Sequence, residues 1–78
     1  MLIDIVTPDK TIYSGEIESA TFPGTDGSFG ILNNHAPMVA TLKTGKIKLI
    51  DETLQTHFFD IKSGVVEVNH NKIIVLAE

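Results

Sequence analysis

Several features that would indicate particular protein classes are missing from this sequence of 78 residues. It has no cysteine, which excludes stabilising disulfides and a thiolate metal site. No apolar run approaches the roughly 20 residues that a helix needs to cross a bilayer. The first residues, Met1 to Asp4, lack the basic and apolar regions of a signal peptide. We therefore expect a soluble chain that resides in the cytoplasm.

The length and charge of the chain narrow its choice of partner. Residues 1–78 have room for one domain, and a domain this small buries only about 60% of the surface that its unfolded chain exposes. Because no disulfide can add stability, a partner protein is the natural source of it. The 6 basic and 10 acidic residues give a net charge of -4, which opposes nucleic-acid binding. We expect a protein partner and no nucleic acid.

Hydrophobic periodicity predicts strands rather than helices. No stretch keeps apolar residues at helical spacing, whereas short β-rich runs alternate with turn residues, as in an all-β sandwich or barrel. Asn69–Lys72 reads as a hairpin turn, since asparagine tolerates positive φ. Residues 23–37, rich in glycine and proline, are expected to form an ordered loop region. The predicted strands are Leu2–Thr7, Glu16–Phe22, Lys46–Leu49, Leu54–Ile61, Val65–Val68 and Ile73–Leu76.

The glycine spacing in this loop region raises the question of a phosphate site. Gly24, Gly27 and Gly30 could let backbone N–H groups approach an anion. However, no Gly-Lys-Ser/Thr sequence and no helix start follows them, as a P-loop would require. We therefore interpret the glycines as turn residues. The three histidines, His35, His57 and His70, are spaced too irregularly to indicate a metal site.

Catalytic and carrier functions find little support. Glu16 and Glu18 could act as a carboxylate pair, but so small a sandwich has little room for a substrate cleft, and a solvated face is the simpler interpretation. Ser14 and Ser63 have no nucleophile-elbow context. Lys10, in the first turn, superficially offers the modified lysine of a lipoyl or biotinyl carrier, yet no half-repeat surrounds it. A carrier and an unrelated β-sandwich binding module remain the alternatives.

A series of short motifs carries a resemblance that extends from end to end of the chain. Read together, they resemble the N-terminal domain of the epsilon subunit of bacterial and plastid ATP synthases, which is equivalent to the mitochondrial delta subunit. Each block alone is weak, and their order and spacing carry the resemblance. The blocks are Ile5–Asp9, Tyr13–Glu18, Pro23–Gly27, Phe29–Leu32, His35–Met38, Leu42–Gly45, Val65–Val68 and Lys72–Glu78.

The resemblance implies a single flattened β-sandwich of about ten short strands. It also implies a non-catalytic rotor subunit that holds the gamma subunit on the ring of membrane c subunits, without any cofactor. Such a subunit would lie at the cytoplasmic face of the bacterial plasma membrane, attached only through the complex. Relatives commonly continue into a two-helix domain that binds ATP or inhibits hydrolysis. Because this sequence stops at Glu78, we expect neither ATP binding nor self-inhibition.

Two surfaces follow from the resemblance and from the apolar run after His35. That run is too continuous for all its side chains to face one core if it is extended, so part of it should lie outside. Met38 is the preferred anchor because methionine adapts to partner surfaces; the alternative is that it belongs to the core. The expected gamma interface is Thr7, His35, Met38, Val39 and Ala40. The expected ring-facing loop is Asp26, Gly27, Ser28, Phe29, Asn33 and Asn34.

The chain departs from the family pattern at two positions in that loop. Asn33-Asn34 stands where relatives usually have Pro-Gly before His-Ala-Pro. Asparagine is the commonest non-glycine residue at positive φ, so Asn34 is predicted to be left-handed. Ser28 occupies a position that is often acidic in relatives, which puts a charge contact with the ring in doubt.

Overall fold

The computed structural model describes all of residues 1–78 and contains eight strands. Because it has no helix, it has no helical segment of the length and apolarity that crossing a bilayer takes. The strands are β1 (Leu2–Val6), β2 (Thr11–Gly24), β3 (Gly27–Leu32), β4 (Met38–Leu42), β5 (Gly45–Asp51), β6 (Thr56–Ile61), β7 (Gly64–Asn69) and β8 (Lys72–Ala77).

The hydrogen-bonded network closes on itself through β2. The start of β2 pairs with β1, and β1 pairs in parallel with β8. Strand β8 pairs with β7, and β7 pairs with β4. Strand β4 then pairs with the end of β2, where Leu42 lies opposite Gly24. The later part of β2 also lies between β3 and β5, and β6 pairs with β5. Tyr13 of β2 packs against His57 and Phe59 of β6, with ring centroids 5.3 and 5.5 Å away. The result is a flattened sandwich of 27 × 24 × 18 Å.

Strand β2 joins both layers by way of a β-bulge. Ile17 is buried, and the next buried residues are Ala20 and Phe22, so the alternation of two slips once. The pairing of β2 with β5 shifts register at the same place, between Ile17 and Ser19. A bulge adds one residue and increases the local twist, which lets one strand serve two sheets. The irregular period of Glu16–Phe22 in the sequence therefore has a structural cause.

The core is built from strand residues that point inward at every second position. It comprises 16 buried apolar side chains, with no buried polar or charged residue among them. Such alternation is what a sheet with one wet and one dry face requires. The fully buried side chains are Phe22, Ile3, Ile5, Ile17, Ile31, Ile47, Leu49, Ile73, Val66, Val68 and Val75.

The predicted all-β sandwich is confirmed, with eight strands instead of the expected ten or so, and the longest of them, β2, has 14 residues. The predicted hairpin at Asn69–Lys72 is also confirmed. Its two central residues, His70 and Asn71, have φ values of 51° and 58°, as a type I′ turn requires.

Two predictions about local structure are wrong. Residues 23–37 are not all loop, because Gly27–Leu32 form strand β3, which pairs with β2. The glycines in this segment favoured a loop in the sequence analysis, although Phe29 and Ile31 both point inward, as alternate residues of a strand do. Leu54 does not begin a strand either: it lies in the β5–β6 turn with a φ of 66° and is 74% exposed.

The turn from β5 to β6 is organised around the carboxylate of Asp51. Its Oδ1 accepts hydrogen bonds from the backbone N–H and hydroxyl of Thr53 and from the N–H of Gln55, at 2.8 to 3.0 Å. Its Oδ2 lies 2.8 Å from Nε2 of His57. The bond from His57 first, and then those from Thr53 and Gln55, hold the pKa of Asp51 well below its ordinary value of 3.8.

We predict that Asp51→Asn lowers the melting temperature at pH 7 and that the difference from the parent narrows in acid. A carboxylate whose pKa is depressed by folding contributes stability above its ordinary pKa of 3.8, and this is lost as the pH falls toward the lower folded value. Melting curves at pH 7 and at about pH 2.5 measure the effect. Glu52→Gln, at the exposed neighbouring carboxylate, is the control. A difference that stays constant with pH would contradict the prediction.

Candidate functional site

The turn between β2 and β3 is shaped by two glycines. A Cβ on Gly24 would lie 2.5 Å from the carbonyl oxygen of Gly27 and 2.8 Å from the ring of Phe29, so only glycine fits beneath that ring. Gly27 has a φ of 131°, which side chains rarely tolerate. Thr25 and Asp26 form the exposed tip between them. The interpretation of the glycines as turn residues is confirmed for Gly24 and Gly27, which flank this turn, and is wrong for Gly30, which lies inside strand β3 and pairs with Thr21.

Strand β4 presents two different faces. Leu42 is buried, and Met38 and Ala40 are partly buried and pack against the core. Val39 and Thr41 point the other way, and Val39 is 68% exposed. The prediction that part of this apolar segment lies outside is confirmed for Val39. Met38 itself faces the core side of the strand, so the alternative interpretation describes its packing better.

Hydrogen bonds fasten the β2–β3 turn to β4. The N–H and the hydroxyl of Thr25 donate to the carbonyl oxygen of Thr41, at 3.0 and 2.8 Å, and the two threonine hydroxyls also contact each other. Lys43 N–H donates to the carbonyl oxygen of Pro23 at 2.9 Å. The sequence analysis missed Thr25 and Thr41, since no local pattern reveals that residues 16 apart will pair.

An open groove of about 630 Å³ lies between this turn and β4, and we call it the hairpin groove. Asp26 is the only charged residue that lines it. The groove brings together four residues of the predicted ring-facing loop and three of the predicted gamma interface. The complete lining is Gly24, Thr25, Asp26, Gly27, Ser28, Phe29, Met38, Val39, Ala40 and Thr41.

Three of the remaining predicted residues, Asn33, Asn34 and His35, lie in the loop between β3 and β4. Asn33 Oδ1 accepts a hydrogen bond from the amino group of Met1 at 3.0 Å, and the N–H of Asn34 donates to Oδ1 of Asn71 at 2.8 Å. His35 is partly buried, and its Nδ1 lies 2.7 Å from the carbonyl oxygen of Ala36. Asn33, Asn34 and His35 therefore adjoin β4 in the chain without lining the hairpin groove.

Thr7 lies apart from the other predicted gamma contacts. It lines a second groove of about 490 Å³, together with Val6, Pro8, Val65 and Leu76. Strands β8 and β7 separate β1 from β4 in the sheet. Thr7 and Met38 therefore line different grooves.

Asn34 has a φ of 63°, as predicted for a residue that replaces glycine. We predict that Asn34→Gly leaves the melting temperature unchanged or slightly raised, because glycine accepts this conformation freely. Asn34→Val should reduce the unfolding free energy by about 1 to 2 kcal/mol, because its branched Cβ opposes positive φ. Thermal melts of both variants test this, and equal melting temperatures would contradict it.

The groups considered for chemistry stay apart from one another. No group of three or more His, Asp or Glu side chains comes close enough to hold a metal ion. Glu16 approaches the amino group of Met1 at 3.2 Å, and Ser14 donates to Asp4 at 2.5 Å. Lys10 is exposed in the β1–β2 turn, where its backbone N–H donates to the hydroxyl of Thr7 at 3.3 Å.

A comparison with protein families decides between the epsilon-subunit resemblance and the two alternatives, a carrier domain and an unrelated β-sandwich binding module. Residues 1–78 match the family described as the ATP synthase delta/epsilon chain, beta-sandwich domain. The chain belongs to this family. The match covers every strand from β1 to β8, so the resemblance drawn from the sequence is confirmed.

Curated relatives in this family are named ATP synthase epsilon chain and differ in length. The one from Chlorobium limicola is 46% identical over 76 residues, which are 97% of this chain and 86% of that protein. The one from Desulfatibacillum aliphaticivorans is 41% identical over the whole chain, which spans only 55% of that protein. A Campylobacter jejuni relative is 43% identical over 76 residues, and 59% of its length is covered.

Solved structures show the same fold at low sequence identity. A chain of the Euglena gracilis mitochondrial ATP synthase, in a structure of OSCP, F1 and c-ring, superposes with a TM-score of 0.93 at 19% identity. The match covers 99% of this chain and 49% of that one. A chain of the Tetrahymena thermophila enzyme, from its central stalk and c-ring, gives a TM-score of 0.83 at 19% identity, covering 99% and 62% of the two chains.

Proposed function

We propose that this delta/epsilon family member is a non-catalytic subunit of the central stalk of a proton-translocating F-type ATP synthase. In that role it links the gamma subunit to the c-ring, so that stalk and ring turn as one body. The observation that carries the proposal is the family match over residues 1–78.

In this proposal the hairpin groove contacts two partners. The exposed Val39 offers apolar contact area to gamma on the outer face of β4, and Met38 and Ala40 contribute the parts that they leave open in the groove. His35 precedes these residues in the chain. The β2–β3 turn, with the carboxylate of Asp26 at its tip, faces the polar loops of the ring. In this arrangement the hydrogen bonds between Thr25 and Thr41 hold the two surfaces in a fixed relation.

The remaining expected contacts extend this arrangement. Asn33 and Asn34 would reach the ring from the loop before β4, and Thr7 would extend the gamma contact to the second groove. In a bacterial cell the subunit would lie at the cytoplasmic face of the plasma membrane, held there through the complex. Neither a cofactor nor ATP is expected to bind to this domain.

Co-expression with the gamma subunit tests the proposal. Affinity-tagged chain should capture gamma at a ratio of about 1:1, and the pair should then retain detergent-solubilised c-ring. An unrelated small β-sandwich domain carrying the same tag is the control. Failure to capture gamma would overturn the proposed function.

A further inference from the structure

The loop before β4 is tied to distant parts of the chain at two points. Asn33 Oδ1 accepts a hydrogen bond from the amino group of Met1, and Asn71 Oδ1 accepts one from the N–H of Asn34. The second bond is 2.8 Å long and joins residues 37 apart in sequence. The other hydrogen bonds of the loop are local, from His35 to Leu32 and to Ala36. Between the ends of β3 and β4, these two hydrogen bonds connect the loop to residues far away in the sequence.

Asn71 meets two requirements at once in the β7–β8 turn. Its φ of 58° needs a residue that tolerates the left-handed region, and its side chain must place an acceptor toward Asn34. Its carbonyl oxygen also accepts the N–H of Leu2 at 3.3 Å, which anchors the turn to β1. Asparagine satisfies both requirements, glycine satisfies only the first, and aspartate retains an acceptor oxygen at the same position.

The same hairpin also fixes the beginning of β4. Met38, the first residue of β4, is paired with Val68, which lies one residue before the end of β7. The turn at Asn71 and the pairing at Val68 thus hold the segment from Asn34 to Met38 at both ends. A shift of the loop would therefore change the direction in which His35 is presented, whereas Val39 is held by its pairing with Glu67 in β7.

We propose that Asn71 is a positioning residue for the partner-binding surface, holding the Asn34–His35 loop in the conformation that the gamma subunit recognises. The inference rests on the proposed function and adds a residue outside the expected interface. Asn71 itself lies in the turn between β7 and β8, so it acts through the hydrogen bond to Asn34. Because the acceptor is a side-chain oxygen, a substitution at residue 71 can remove the hydrogen bond while the new residue still adopts the positive φ of the turn.

Three proteins test the proposal: the parent, Asn71→Gly and Asn71→Asp. Asn71→Gly keeps the positive φ and removes the acceptor, so the Asn34 amide should exchange with solvent about five- to tenfold faster. Gamma binding should weaken by a similar factor. Asn71→Asp should restore both properties to near the parent values, whereas the melting temperatures of the three proteins should stay close.

The outcomes separate this inference from the proposed function. Unchanged exchange at Asn34 in Asn71→Gly, or unchanged gamma binding despite faster exchange, would overturn the positioning role. A loss of gamma binding in Asn71→Gly that Asn71→Asp does not restore would also overturn it. If the parent itself fails to bind gamma, the proposed function fails, and the exchange measurement still decides whether Asn71 holds the loop.

Discussion

Replacing Phe22 with alanine is expected to reduce the unfolding free energy by about 3 to 5 kcal/mol. Its ring is completely buried in the bulged strand β2 and packs against Phe29 at a centroid distance of 5.6 Å. Removing it would take away apolar burial and leave a cavity in the core. Domains of this size are stable by only several kcal/mol, so the variant should be largely unfolded at 37 °C. Urea denaturation followed by circular dichroism measures the change.

Phe58→Ala provides a matched control for the same chemical change. Phe58 is 59% exposed on β6, so its loss should change the unfolding free energy by less than about 1 kcal/mol. The contrast between the two phenylalanines tests the inward and outward assignment of the strands. Equal destabilisation by the two substitutions would contradict the described core.

The alternation of buried and exposed residues was readable from the sequence wherever strands are regular. Lys46–Leu49 alternates strictly, and Ile47 and Leu49 are indeed completely buried. The turn at Asn69–Lys72 was equally clear because Asn71 tolerates positive φ, whereas His70, which also has positive φ, gave no such signal. These features depend on neighbours in the chain, which local patterns describe well.

The features that escaped the sequence analysis depend on contacts between distant residues. Strand β3 contains two glycines, and it is stabilised by pairing with β2 that its own composition does not favour. The bulge in β2 shows in the sequence only as a slip in alternation at Ile17–Ala20. Its role in joining two layers becomes clear only when both partner strands are known.

The candidate site was predictable in parts. The positive φ of Asn34 followed from the comparison with glycine in relatives, and the exposure of Val39 followed from the length of the apolar run. The ties from Thr25 to Thr41 and from Asn34 to Asn71 span 16 and 37 residues, and nothing in the local sequence announces them. The partner surfaces themselves rest on family resemblance, since they depend on molecules outside this chain.

Val39→Asp is expected to weaken gamma binding by about 2 kcal/mol or more, a factor of about 30, while the domain stays folded. Val39 is 68% exposed on the outer side of β4, so a carboxylate there remains hydrated in the isolated chain. In the complex the same carboxylate would be buried against an apolar surface without a partner charge. Val39 gives a cleaner test than Met38, whose packing against the core would mix folding with binding. Titration calorimetry with gamma, together with thermal melts, measures both effects.

Leu54→Asp is the control for the added charge. Leu54 is another exposed apolar residue, 74% accessible, and it lies in the β5–β6 turn outside the hairpin groove. Aspartate tolerates its φ of 66° better than leucine does, so this variant should fold at least as well as the parent and bind gamma equally. If Val39→Asp stays folded and binds gamma as tightly as Leu54→Asp, the outer face of β4 is not the gamma interface. If both variants lose binding to the same extent, the net charge of the domain, and not contact at Val39, governs the association.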